Sequence, residues 1–151
     1  MKTVGFTGTQ KGFTDAQRDT FECLIKSIKV SQFHSGDCIG CDEQAFKIVQ
    51  KAHPNVWMVV HPPIKRQKRA FYKPRPNSGK IREPLDGLVR NHNIVEETNL
   101  LIATPGEMTE KLRSGTWATI RWAIKKHKTA VIVFPDGTTE LKKTYEDRRR
   151  L

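Results

Sequence analysis

Arg113-Ser114-Gly115-Thr116 is the run whose residue types carry the most specific chemistry in this sequence. It lies between an apolar run, Leu100-Leu101-Ile102-Ala103, and a segment of helical spacing from Trp117 to Lys126. The carboxyl end of a strand followed by the amino terminus of a helix is therefore predicted around Gly115-Thr116. Unpaired N–H groups and the positive end of the helix dipole make such a turn attract phosphate. Gly115 allows close backbone approach, Ser114 and Thr116 offer hydroxyls, and Arg113 supplies charge. The competing reading is an ordinary N-cap formed by Ser114 or Thr116.

Other groups that could react or ligate are scattered. Asp37, Asp42 and Glu43 are the carboxylates of one loop; turned into a cleft, one of them could stabilise positive charge or activate water. As caps, Asp42 or Asp37 would start the following helix, with Glu43 in its first turn; Asp42 is read as the cap, and Asp37 stays open between the two. His61 is either a general acid or stacking group, or a satisfied histidine at a strand end. Cys38 and Cys41 have CxxC spacing, but no second pair follows, so neither a zinc site nor a disulfide framework is expected. No metal and no cofactor are predicted.

These residues need a scaffold, and the hydrophobic pattern supplies one. Residues 2–8, 32–34, 55–61, 98–103 and 129–134 read as strands, and between them apolar residues recur at helical spacing. Thr14-Asp15-Ala16-Gln17 has the form of a capping box. Its helix places Phe21, Leu24, Ile25 and Ile28 on one face, and the next helix does so with Ala45, Ile48, Val49 and Ala52. A third helix, about 85–96, is predicted to turn Leu88, Asn91 or His92, and Val95 inward. Trp117 and Trp122 keep helical spacing with Ile120 and Ile124, which fits core packing. The result is an α/β, Rossmann-like three-layer fold of about five mainly parallel strands with helices on both faces, in one domain spanning 1–151. Ligands of such sheets bind beyond the carboxyl ends of the strands. Gly8-Thr9-Gln10, Ser35-Gly36-Asp37, His61 and the 106–116 loop all follow strands, so they are expected to converge there.

From Ile64 to Pro84 the pattern breaks into a basic insertion carrying eight cations, Lys65 to Arg82. It reads as a lid, an interface or a disordered loop, and Phe71 and Tyr72 could stack on a base. The tail ends in Arg148-Arg149-Arg150 and reads as a solvated helix. A formal net charge of +11 favours polyanionic partners, either nucleic acid or phosphorylated small molecules. No apolar run approaches the roughly 20 residues that span a bilayer, and the amino terminus lacks the pattern of a signal peptide. No membrane partner and a cytoplasmic location are expected.

From Val4-Gly5-Phe6-Thr7-Gly8-Thr9 to Val131-Ile132-Val133-Phe134-Pro135 the chain resembles the SLOG superfamily. These are Rossmann-like domains related to the Lonely guy phosphoribohydrolases and the DNA-processing A proteins. The segment His34-Ser35-Gly36-Asp37-Cys38-Ile39-Gly40-Cys41-Asp42 is most similar to the YpsA-like branch. Arg90-Asn91, lying before Asn99-Leu100-Leu101-Ile102-Ala103-Thr104-Pro105-Gly106, resembles the Arg-Lys pair of the Lonely guy enzymes, and Gly115-Thr116 their phosphate-binding Gly-Thr. Thr119 stands where those enzymes carry a catalytic Glu. The resemblance implies binding of a nucleotide-derived, phosphate-containing ligand such as an ADP-ribose-type or cyclic nucleotide immune signal. N-glycoside hydrolysis, with Asp37 and Arg90 as catalytic residues, and single-stranded nucleic-acid binding by the insertion are the alternatives. A homo-oligomer is also implied. The expected ligand set is Gly8, Thr9, Gln10, Ser35, Gly36, Asp37, His61, Arg90, Arg113, Ser114, Gly115 and Thr116.

Overall fold

In the computed structural model, which describes residues 1–143, seven strands form one sheet with helices on both faces. The strands are β1 (Lys2–Gly8), β2 (Val30–Ser35), β3 (Trp57–Val60), β4 (Gly79–Ile81), β5 (Leu100–Thr104), β6 (Thr129–Val133) and β7 (Thr139–Lys142). Their order is β4-β3-β2-β1-β5-β6-β7, parallel throughout except for β7. The strand count is thus seven rather than five. The two additional strands are both edges, and neither offers the apolar run that marks a central parallel strand. The tail expectation at Arg148-Arg149-Arg150 lies outside the described residues.

Helices α1 (Asp15–Ser27) and α2 (Cys41–Ala52) cover one face, and α3 (Gly87–Glu96) and α4 (Gly115–Lys125) the other. The first core packs Phe21, Ile25, Ala45 and Val49 against Val4, Phe6, Phe33, Met58 and Ile102. The second packs Val95, Trp117, Ile120 and Ala123 against Leu101, Ala103, Ala130 and Ile132. Alternate residues of β5 feed the two cores, as a period of two requires. On α3 the inward residues are Ile94 and Val95, whereas Leu88 is 59 % exposed, contrary to expectation. The helix starts two residues later than predicted, with Asp86 as its cap, so Leu88 lies in its first turn at the rim of the cleft, and Arg90 rather than Leu88 is buried.

Thr14 and Gln17 do form the capping box, and the buried Gln17 amide does more. Its Nε2 donates to the carbonyls of Pro105 and Val133 at 2.9 Å each. One polar side chain thereby ties the start of α1 to the carboxyl ends of β5 and β6. No helix among the described residues is long and apolar enough to cross a membrane.

Candidate functional site

The order of strands reverses at β1: the chain runs outward through β2, β3 and β4, then returns to add β5 on the other side. A crevice opens above the carboxyl ends at such a reversal. Here it has two lobes, of about 520 and 580 Å³, which share Gln10, Cys38, Arg90, Asn91 and Gly115 in their walls. Gly8 and Thr9 form part of the floor. A Cβ on Gly8 would stand 2.4 Å from the Thr104 hydroxyl and 2.5 Å from Cys41 Cβ, so only glycine lets α2 seat this close to the sheet. The first amide of α2 is tied into the same floor, Cys41 N donating to the Thr9 carbonyl at 3.1 Å.

The amino terminus of α4 points into the crevice. Ser114 caps it, accepting from Trp117 N at 3.3 Å. Among the described residues the Gly115 and Thr116 N–H groups have no protein acceptor, as expected of the first amides of a helix. Gly115 has no atom within 4 Å of where a Cβ would stand, and Gly115 and Thr116 both line the second lobe. Thr119 Oγ1 turns back to donate to the Gly115 carbonyl at 2.8 Å.

Arg90 enters from α3 between the lobes and is only 8 % exposed. Its Nη1 donates to the Gly36 carbonyl at 2.5 Å, with Cys38 Sγ at 3.6 Å and the His61 carbonyl at 3.5 Å. A Cβ on Gly36 would lie 2.3 Å from that nitrogen, so glycine is required for the guanidinium to fit. Its Nε is buried with no partner among the described residues, and no carboxylate lies within 4 Å of the group. The guanidinium is thus held directly by carbonyls and a thiol, with the Asp42 carboxylate acting on it only from beyond 4 Å, and a buried cation without a direct ion pair is suited to receive an anion.

Asp42 is the carboxylate beside it. It lines the second lobe, and it is not the cap of α2, because Gly40 holds that position with a positive φ of 90°. Asp42 instead accepts from Cys38 N at 3.2 Å. Burial pushes its pKa up to about 6 against the pull of Arg90. Burial likewise raises the Cys38 thiol, and Cys41 to about 12, so neither is an activated nucleophile.

Eight expected ligand residues line the cleft: Gly8, Thr9, Gln10, Gly36, Arg90, Ser114, Gly115 and Thr116. Four do not. Arg113 is exposed and points elsewhere, and Lys111 supplies the cation on that loop. Asp37 is fully buried: its Oδ2 accepts from Arg69 Nε at 2.6 Å and its Oδ1 from Tyr72 N at 3.2 Å. Ser35 Oγ accepts from the Tyr72 hydroxyl at 2.7 Å. His61 is buried against His34, with Nε2 2.9 Å from His34 Nδ1. Following a strand does not decide which way a side chain turns, and these three turn into the protein. Cys38, Asn91, Lys65, Lys68 and Lys111 line the cleft unforeseen.

The insertion is accordingly not a loose flap. Asp37 and Ser35 clamp it, Tyr72 packs on Phe46 with centroids 4.3 Å apart, and Gly79–Ile81 pairs with β3. Tyr72 is thus a buried anchor rather than a base platform, whereas Phe71 stays on the surface beneath Arg66 and Arg69. Ile64, Lys65 and Lys68 form a wall of the first lobe.

The chain is similar to TM1055, a structural genomics target solved by X-ray crystallography, with a TM-score of 0.58 and 17 % identity over 86 % of this chain and 72 % of that one. It is similar also to DNA processing protein A from Streptococcus pneumoniae, with a TM-score of 0.60 and 15 % identity over 86 % of this chain. The chain spans about half the length of that protein, 49 %. At these identities the likeness is one of fold. No protein-family model and no curated protein sequence matches the chain.

Proposed function

We propose that this protein binds a nucleotide-derived ligand and holds its phosphate between Arg90 and the amino terminus of α4. The observation that carries the reading is the pairing of two unmet demands in one cleft. Arg90 is buried with no carboxylate partner, and the Gly115 and Thr116 amides face open space. A phosphate satisfies both, through charge-assisted hydrogen bonds to the guanidinium and to the helix terminus. Lys65, Lys68 and Lys111 add positive charge to the walls, and the double lobe has room for a base and ribose beyond the phosphate. SLOG-type neighbours are consistent with nucleotide-related binding or processing.

Calorimetry with mononucleotides, ADP-ribose, cyclic nucleotides and a single-stranded oligonucleotide tests this. Saturable binding of a phosphorylated nucleotide is expected, lost in Gly115→Asp, whose carboxylate would occupy the open space without touching the core. Binding unchanged in that variant would refute the site. An oligonucleotide bound more tightly than any mononucleotide, with a steep salt dependence, would move the function to the basic insertion.

A second reading rests on Asp42. A carboxyl with its pKa near 6 beside the cleft is suited to proton transfer, so cleavage of the ligand's N-glycosidic bond is the reaction to look for. Chromatography for released base decides between binder and hydrolase: release abolished by Asp42→Asn supports the enzyme, and no release from any nucleotide supports the binder.

A further inference from the structure

On the opposite side of β2 and β3 from the α1–α2 core lies a group of side chains that the cleft does not use. His34 pairs in register with Gly5 and with Val59, and so faces α3, whose C-cap residue is Glu97. His61 follows β3. Both imidazoles are 2 % exposed and stack with centroids 5.1 Å apart. One ring nitrogen of His34, one of His61 and a Glu97 oxygen all lie within 4.8 Å of one another, the one such trio among the described residues, and His34 Nδ1 is 2.9 Å from His61 Nε2.

We propose that His34, His61 and Glu97 form a binding site for a divalent transition-metal ion of the zinc type. Two imidazoles and one carboxylate are a ligand set that zinc takes, leaving a further position for water. Nitrogens 2.9 Å apart, each at about 2.0–2.1 Å from an ion, subtend roughly 90° there, and a slight opening reaches tetrahedral geometry. A supporting contact is already in place: His34 Nε2 is 3.0 Å from Gln32 Oε1. With that oxygen accepting, the lone pair sits on Nδ1, which is the arrangement metal-bound histidines receive from their outer partners.

Arg82 occupies the metal's electrostatic place. Its two terminal nitrogens grip Glu97, and it and Lys80 put positive charge beside both imidazoles. Arg82 is 34 % exposed on its side chain and can swing to solvent. Glu97 is 30 % exposed, and one of its oxygens already lies within 4.8 Å of the histidine nitrogens. The ion and Arg82 therefore compete for one carboxylate. This competition gives the proposal an opposite-signed test.

The full chain, treated with chelator and freed of it, is titrated with Zn²⁺ by calorimetry and with Co²⁺ by visible absorption. One equivalent is expected, with the d–d bands of tetrahedral cobalt. Glu97→Gln and His61→Gln should lose it, Gln32→Ala should weaken it by about tenfold, and Arg82→Met should tighten it. Absence of saturable binding overturns the site. So does equal affinity in His61→Gln, or loss in Cys38→Ser, which would assign the ion to the cysteines. Should His61→Gln unfold by circular dichroism, Gln32→Ala and Arg82→Met decide by their opposite shifts.

Discussion

Among the described residues, Arg69, Arg82 and Arg90 are held against the protein in two different ways. Arg69 and Arg82, from the insertion, meet the carboxylates of Asp37 and Glu97. Arg90, from α3, is more deeply placed yet meets only carbonyls and a thiol. The first kind fastens one part of the chain to another. The second leaves a charge without a direct ion pair, the Asp42 carboxylate acting on it only from beyond 4 Å. A cation matched within the protein is architecture, whereas an unmatched buried one at a strand-end crevice is a place for an anion.

The sharpest way to break this comparison is to remove each charge. Arg69→Met strands the fully buried Asp37 carboxylate, and by the cost of breaking buried pairs should destabilise by about 3–5 kcal/mol in urea unfolding. Arg90→Met breaks no ion pair within 4 Å, and the same measurement should move by less than it does in Arg69→Met. Equal losses in the two variants would erase the distinction. Ligand affinity should show the reverse order, Arg90→Met falling on the order of a hundredfold, about 2.7 kcal/mol, with Arg113→Ala unchanged.

Acid sharpens the comparison further. Burial lowers His34 to about 4 and His61 to about 3, below the usual 6.5. Their contribution to stability is fully present above pH 6.5 and is lost as pH falls, about 2 kcal/mol for one imidazole between pH 6.5 and 5. Asp42 runs the other way: its pKa is raised to about 6, so its contribution is present below its unfolded value near 3.9 and lost as pH rises through 6. Urea midpoints from pH 7 to 5 should therefore fall in the wild type, fall more steeply in Asp42→Asn, and fall less in His61→Gln. The smallest effect is at Gly115. Its φ is not in the left-handed region and its surroundings are open, so Gly115→Ala should stabilise by roughly 0.4–1 kcal/mol in thermal unfolding.

What was legible in the sequence is what local pattern controls. The capping box at Thr14 and Gln17, the five inner strands and the helix start at Gly115 all follow from spacing within a few residues. The edge strands were not legible: Gly79-Lys80-Ile81 and Thr139-Glu140-Leu141-Lys142 are short and polar, and only their neighbours make them strands. Nor could sequence order say which carboxylate of the second loop meets the cleft. Asp37 and Asp42 are five residues apart, and the choice is made at long range, by Arg69 and Tyr72 drawing Asp37 away. His61 was misplaced for the same reason, because its partner His34 is 27 positions distant.

Gly36 and Asp37 are neighbours, and each is a handle for a different arginine. The carbonyl of the first steadies Arg90, while the carboxylate of the second anchors Arg69. Between them stands one peptide unit, whose atoms are coplanar and rigid. Asp37 itself sits at a φ of 56°, a conformation with little room to relax. The fastening of the cationic surface segment and the seat of the crevice's arginine are therefore consecutive residues of one turn.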